Sequence, residues 1–228
     1  MALRRRPRSV AAEVYAASGQ PDPSTPWRRA AYAVVDLETT GLEPRRDEII
    51  SFACVPVLDG RVAIGEAVEA TVRPRKMPRA ESIRIHGLRE ADLESAPPLA
   101  EALDTMLEAL SGRVLVAHAA WVEAGFLGPA LKRAGLELRG PALDTAVLAY
   151  RVPRLAEVVE TTRPAPSDTS PGLSRAAWAM GLPVHRPHHA SGDALTAAQL
   201  FIALATRLDA AEPQTVGSLA SLSQPADD

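Results

Sequence analysis

The chain has one cysteine, Cys54, among 228 residues. That excludes an internal disulfide framework and makes a reducing cytoplasm the expected compartment. Aromatic residues are scarce at 4%, so the core has to be built mostly from Ala, Leu and Val. No apolar run approaches the roughly 20 residues of a spanning helix, so no membrane role is expected. Arg4, Arg5, Arg6 and Arg8 look like the basic start of a secretion signal, but the run behind them is short and broken by Glu13; export is not expected. A basic excess is missing as well. Residues 1–30 hold six Arg against Glu13 and Asp22, and with a net charge of −3 for the whole chain the rest carries −7. Such a body is not a generic nucleic-acid binder. If it handles nucleic acid, metal ions and local Arg patches must offset its charge.

Length and apolar fraction (46%) suit one domain with appendages. Residues 1–30 read as an accessory arm, with a short helix at Val10–Ala17 ended by the Pro-rich 21–26 segment. Residues 31–211 read as the domain, and 212–228 as a small, polar, disordered tail. The pattern predicts strands at Ala31–Leu37 and Ile49–Leu58, a turn at Asp59-Gly60, and a third strand at Arg61–Val72. Leu99, Leu103, Met106, Leu107 and Leu110 have helical spacing. A buried strand at Arg113–Ala117 and a helix at 120–134 follow, then a helix capped by Asp144. Residues 160–171 read as a loop, Leu173–Met180 as a helix and 191–210 as the last helix of the domain. Strands first, then strands interleaved with helices, argue for an α/β layered domain.

Residues 34–42 read Val-Val-Asp-Leu-Glu-Thr-Thr-Gly-Leu. Asp36 and Glu38 are two apart on an apolar strand, so their side chains share a face. Two adjacent carboxylates there repel each other and are costly to bury, which calls for a cation between them, most simply a divalent metal. Thr39, Thr40 and Gly41 then form a turn whose N–H groups can face a ligand. Three further segments place acids or histidines in unusual surroundings: His118-Ala-Ala-Trp-Val-Glu123, Asp144-Thr145 and His188-His-Ala-Ser-Gly-Asp193.

At these residues the sequence resembles the DEDDh-type 3′–5′ exonucleases, the family of the proofreading epsilon subunit of the bacterial replicative polymerase. Asp36 and Glu38 match the motif D-x-E-T-T-G in full, and His188 and Asp193 match a His five residues before an Asp. His118-Ala119-Ala120-Trp121-Val122-Glu123 stands where the family reads H-N-A-x-F-D. Asp144-Thr145 and His86-Gly87-Leu88 also recur there. The resemblance covers about residues 31–208 and implies a ribonuclease-H-like mixed β-sheet flanked by helices.

The resemblance further implies two-metal phosphodiester hydrolysis with Mg²⁺ or Mn²⁺, releasing nucleoside 5′-monophosphates. Asp36, Glu38, Glu123 and Asp193 would be the metal ligands and His188 the general base, an imidazole titrating near neutral pH. Thr39, Thr40, Gly41, Leu42 and His86 would hold the terminal nucleotide. The substrate expected is a single-stranded 3′ end, DNA before RNA, with a polymerase or repair protein as a possible partner. Alternatives are an exoribonuclease and a weakened module that binds without cutting. Glu123 replaces the family's Asp and Ala119 its Asn; one extra methylene at Glu123 predicts a site weakened or shifted toward Mn²⁺. His118 reads as a core histidine, His189 as structural, Asp144 as a helix cap. Trp121 and Phe126 are candidates for base stacking, with core packing favoured for Phe126.

Overall fold

A computed structural model of the chain describes residues 9–152, 155 and 171–224. Arg4–Arg8 and nearly all of the loop expected at 160–171 lie outside the described residues.

The apolar runs of the first half form strands β1 (Tyr32–Thr39), β2 (Ile49–Leu58), β3 (Arg61–Val62) and β4 (Val68–Thr71); β5 (Val114–Ala117) and β6 (Ala142–Asp144) follow. They make one mixed sheet in the order β3-β2-β1-β5-β6, with β4 also paired to β2. β1 runs antiparallel to β2 and parallel to β5, and β6 runs parallel to β5. The single third strand expected at Arg61–Val72 is instead two short strands separated by a 3₁₀ turn at Ile64–Glu66, both on β2. Gly65 and the exposed Ile64 at the break leave nothing there to pack on the sheet.

The strand alternation distributes the two cores. Tyr32 and Val34 of β1 face one side with Val55, Val57, Val114 and Val116; Ala33, Val35 and Leu37 face the other with Phe52, Cys54 and Leu115. The second face is covered by α1 (Val10–Ala17), α4 (Leu99–Leu110) and α5 (Ala120–Arg133). Between β4 and α4 lie the short helices α2 (Ala80–His86) and α3 (Glu90–Glu94). The first face is covered by α6 (Thr145–Tyr150), α7 (Pro171–Ala179), α8 (Ala190–Ala211) and α9 (Val216–Leu222). Phe201 of α8 anchors this layer, its ring 4.7 Å from Tyr32 and 6.1 Å from Trp27.

Three expectations change. First, α8 is by length and composition apolar enough to cross a bilayer, contrary to the reading of the chain's apolar runs. It owes that composition to the core, where Ala194, Ala198, Phe201 and Leu204 lie against the sheet. Second, residues 9–30 are built into the domain. Ala11, Ala12 and Tyr15 are buried, the Tyr15 hydroxyl donates to Glu137 O (2.9 Å), and Arg139 donates to Ala16 O and Ser18 O. Third, the tail contains α9, whose Thr215 side chain caps Ser218 N–H and whose Val216 and Leu219 are buried. It is tied to the N-terminal segment by Val216 N–H to Thr25 O and by Gly217 N–H to Pro23 O. The spacing of Val216, Leu219 and Leu222 is the local signal for this helix, within an otherwise small and polar stretch.

Candidate active site

Asp36 and Glu38 extend the Tyr32–Val34 row of β1, so they project from the face on which α8 lies. Asp193 sits in the first turn of α8. The sheet and this one helix therefore bring the three acids together: each offers a carboxylate oxygen, and these lie within 4.8 Å of one another. A break in register between Glu38 and Thr39 opposite β2 turns the strand end away at this point. Glu123, in the first turn of α5, stands outside this trio but close enough to act on Asp36 electrostatically.

The electrostatics are those of crowded acids, offset at Asp193 only by His188 and His189. Burial raises the Asp36 carboxyl well above the usual range, and Glu123, Glu38 and Asp193 push it in the same direction. Asp36 keeps some surface open to the cleft but is otherwise enclosed by protein. Burial, helped by Asp193, lifts Glu38 to about 8. Glu123 is raised by burial and by Asp144 and Glu38, against the opposing effect of a backbone hydrogen bond. Asp193 is raised by burial, while hydrogen bonding from the His188 backbone draws it down. Glu123 Oε2 and Asp193 Oδ1 are buried without a hydrogen-bond partner among the described residues. Buried orphan carboxylate oxygens are uncommon because each forfeits its hydration. Hard oxygens converging in this way fit a divalent cation of the Mg²⁺ or Mn²⁺ type.

His188 lies on the loop before α8, with a backbone φ of 60°, and its N–H donates to Asp193 Oδ2 (2.8 Å). The same acid that completes the trio thus fixes the loop carrying the histidine. Gly192 permits the fold of that loop: a Cβ there would lie 2.5 Å from both His185 O and Arg186 O. His189 instead meets Glu69 (3.5 Å) and Ser191, and His185 meets Gln199, so the three histidines do not converge on one point.

The turn after β1 is held from outside the motif. Thr40 N–H donates to Glu48 O, and the Thr40 hydroxyl donates to Asp47 Oδ1 (3.2 Å). The Asp47 carboxylate lies over Gly41, where a Cβ would come within 2.5 Å of it. Ser82 of α2 donates to Thr39 O (3.0 Å), locking α2 to the turn. His86 ends α2 buried; its Nδ1 accepts from Leu88 N–H (3.0 Å), and burial lowers its pKa. The neutral ring therefore carries its proton on Nε2, a buried donor with no partner among the described residues. Asp36, Glu38, Thr39, Thr40, Gly41, Leu42, His86, Glu123, His188 and Asp193 all line one large cleft.

Asp144 does more than cap α6. Its carboxylate accepts from Ala146 N–H (2.8 Å) and also from Ala119 and Ala120 N–H (3.0 Å each). One buried side chain thus fixes the starts of both α6 and α5, and with α5 the height of Glu123. The recurrence of Asp144-Thr145 in the resemblance was the signal available for this role. Thr145 in turn accepts from His118 Nδ1 (3.0 Å) and donates to Ala117 O (3.2 Å). Burial depresses His118 to about 4, so it stays neutral at working pH. Asp47, Ser82 and Gly192 carried no local sequence signal, since their partners come from other elements or from the loop's own fold.

Ala119, ahead of α5, has φ 64° and ψ 50°, and its own methyl side chain adds no cap to the one that Asp144 supplies. Left-handed backbone costs an Ala roughly 1–2 kcal/mol, and Asn tolerates it far better. Ala119→Asn is expected to stabilise the protein by about 1 kcal/mol, raising Tm by roughly 2–4 °C in thermal melting. A lower Tm would mean the left-handed conformation is not the obstacle.

Comparison with known proteins agrees with this geometry. The RNase_T family model, described as an exonuclease, matches residues 33–201. A DNA polymerase III subunit epsilon-like protein of Rhodobacter capsulatus is 32% identical over 198 residues, covering 86% of this chain and 26% of that protein. This chain therefore spans about a quarter of that relative's length. Exonuclease X in complex with 5′-overhanging duplex DNA superposes with a TM-score of 0.59 at 21% identity, over 85% of this chain and 99% of that one. The nuclease domain of 3′hExo, a DEDDh family member bound to rAMP, gives 0.57 at 17% identity, over 82% and 96%. The fold is ribonuclease-H-like, a mixed sheet flanked by helices.

Proposed function

The chain belongs to the RNase_T exonuclease family, of the DEDDh type, and from that premise we propose that it removes nucleotides from the 3′ end of single-stranded nucleic acid, DNA in preference to RNA. The observation that carries this reading is the convergence of Asp36, Glu38 and Asp193 within 4.8 Å, with Asp193 Oδ1 and Glu123 Oε2 buried and without a hydrogen-bond partner among the described residues. These three acids, with Glu123 adjoining, would hold two divalent cations, whose chemistry is to stabilise charge on the scissile phosphate and to acidify the attacking water.

The protein's own groups do the rest. The tether from its N–H to Asp193 holds the His188 backbone at the cleft wall, where the imidazole takes the proton of the attacking water. The P–O3′ bond breaks, a nucleoside 5′-monophosphate leaves, and the shortened strand keeps a 3′-hydroxyl. The turn at Thr39–Leu42 and the Nε2–H of His86 bind the terminal nucleotide, with half-exposed Leu42 and Ile85 against its base. Cys54, buried and unpaired, suits work in the cytoplasm, and the epsilon-like relative makes a polymerase a candidate partner.

A 5′-labelled single-stranded DNA incubated with Mg²⁺ or Mn²⁺ should shorten stepwise from the 3′ end, and matched RNA should shorten more slowly. EDTA should stop both. A ladder from a 3′-labelled strand that keeps its label, or cleavage indifferent to EDTA, would defeat this reading.

A further inference from the structure

The cleft extends well beyond its acidic centre. Its volume, about 1420 Å³, exceeds the roughly 300–1,000 Å³ that encloses one small ligand. Its walls also carry two features that terminal-nucleotide hydrolysis does not use. Arg45, Arg75, Lys76 and Arg79 line it and are exposed. On a body that is acidic overall, residues 73–89 hold six cations against Glu81 alone. Arg75 is paired with Glu48 (2.6 Å), but among the described residues no carboxylate pairs with Arg45, Lys76 or Arg79. The second feature is Trp121, which is 71% exposed and lines the same cleft from the first turn of α5.

The two features are neighbours. Pro44 packs on Gly125, its Cγ 3.2 Å from where a Cβ would stand. Gly125 is one helical turn from Trp121 on the same face of α5. The loop bearing Arg45 therefore runs beside the indole. An exposed aromatic next to unpaired cations, in one groove with the acidic centre, matches how proteins hold a single strand: bases stack on the ring and phosphates follow the positive wall.

We infer that this part of the cleft binds the single strand behind the terminal nucleotide, with a nucleobase on Trp121 and phosphates along Arg45, Lys76 and Arg79; this rests on the nuclease reading of the acidic centre. A protein segment fits the groove less well, because its cations are continuous with the place where a phosphate must be cut.

Binding of a fluorescent ten-residue oligothymidylate to the full chain in EDTA, followed by anisotropy, tests the groove without cleavage. Trp121→Ala is expected to weaken binding on the order of 10-fold, the loss of one stacked base, while Trp121→Phe keeps most of the affinity. The triple variant Arg45→Gln/Lys76→Gln/Arg79→Gln is expected to flatten the slope of log K against log salt by about 2, at about 0.7 per lost phosphate contact on a single strand. These side chains are exposed, so melting temperatures should match the wild type. Wild-type affinity in Trp121→Ala together with an unchanged salt slope in the triple variant would overturn the inference and leave Trp121 as a protein contact. Hydrolysis of the 4-nitrophenyl ester of thymidine 5′-monophosphate by the wild type, with Mn²⁺, reports on the acidic centre alone. Hydrolysis of the ester together with unchanged oligothymidylate binding and salt slope in the groove variants sinks only the groove; no hydrolysis sinks the nuclease reading itself.

Discussion

Asp36→Asn is expected to cut 3′-end hydrolysis by about 10³-fold or more and, in EDTA, to raise the melting temperature. The two effects have one cause. Asp36 is desolvated by the protein around it and has Glu123, Glu38 and Asp193 all acting on it. Its charge is therefore disfavoured when nothing positive is bound and indispensable when a cation is. Loss of a metal ligand removes several kcal/mol of phosphoryl charge stabilisation, which is three or more powers of ten in rate. The neutral amide has nearly the same shape, so the packing of β1 is kept while a buried repulsion disappears. A gain of even 1 kcal/mol should appear as roughly 2–4 °C in a chain of this size. Asp47→Asn makes the contrast: its carboxylate accepts from Thr40 and from Glu43 N–H, so weakening it should lower Tm. If Asp36→Asn melts lower than the wild type in EDTA, the crowding of carboxylates is not what the site stores.

What the sequence discloses, and what it does not, follows from the range of the interactions. Asp36-x-Glu38 is legible because a strand's period of two puts both acids on one face within a single element. Which face that is follows from Tyr32 and Val34 in the same row, and the helix that covers it is the one whose first turn carries Asp193. The cap at Asp144 is equally local, but its grip on Ala119 and Ala120, some 25 residues earlier in the chain, is not. The same limit hides Asp47 over Gly41 and Ser82 on Thr39. The helix in the tail is hidden for a related reason. Val216, Leu219 and Leu222 span barely two turns, too little to mark a helix by themselves, and they matter because the 23–27 segment and the first-face core are there to receive them. Glu123 shows both sides. Its place in the first turn of α5 could be read from spacing and its approach to Asp36 from the resemblance; that its Oε2 is buried without a partner among the described residues, outside the closest trio, could not.

The protein's stability in EDTA should fall as pH rises from about 6.5 to 8.5, and Mg²⁺ or Mn²⁺ should reverse that slope. The sign follows from the raised acids. In the unfolded chain they ionise near their ordinary pKa, about 4 for Asp and Glu. In the fold Glu38 holds its proton until about 8, and Asp36, Glu123 and Asp193 are also raised. The native state thus binds more protons through this range, so stability is lost as pH climbs through the folded values. Each proton retained contributes about 1.4 kcal/mol per pH unit, so the total loss is on the order of a few kcal/mol. Two groups act in the other direction. His118, held near 4, and His86, also lowered, resist protonation in the fold, and their contribution grows with pH. It is complete above the ordinary histidine pKa of about 6.5, which is why the window begins there. The lowered Asp22, Asp92 and Glu48 finish titrating at lower pH and add no slope. A divalent cation binds the ionised acids, so its affinity rises over the same interval. At 100 times Kd it adds about 2.7 kcal/mol, comparable to what the acids cost. Thermal melts at pH 6.5, 7.5 and 8.5, with EDTA and with excess metal, read both slopes. Flat melting in EDTA would mean the four acids ionise without strain, and a fall that metal leaves untouched would mean they do not gather round a cation.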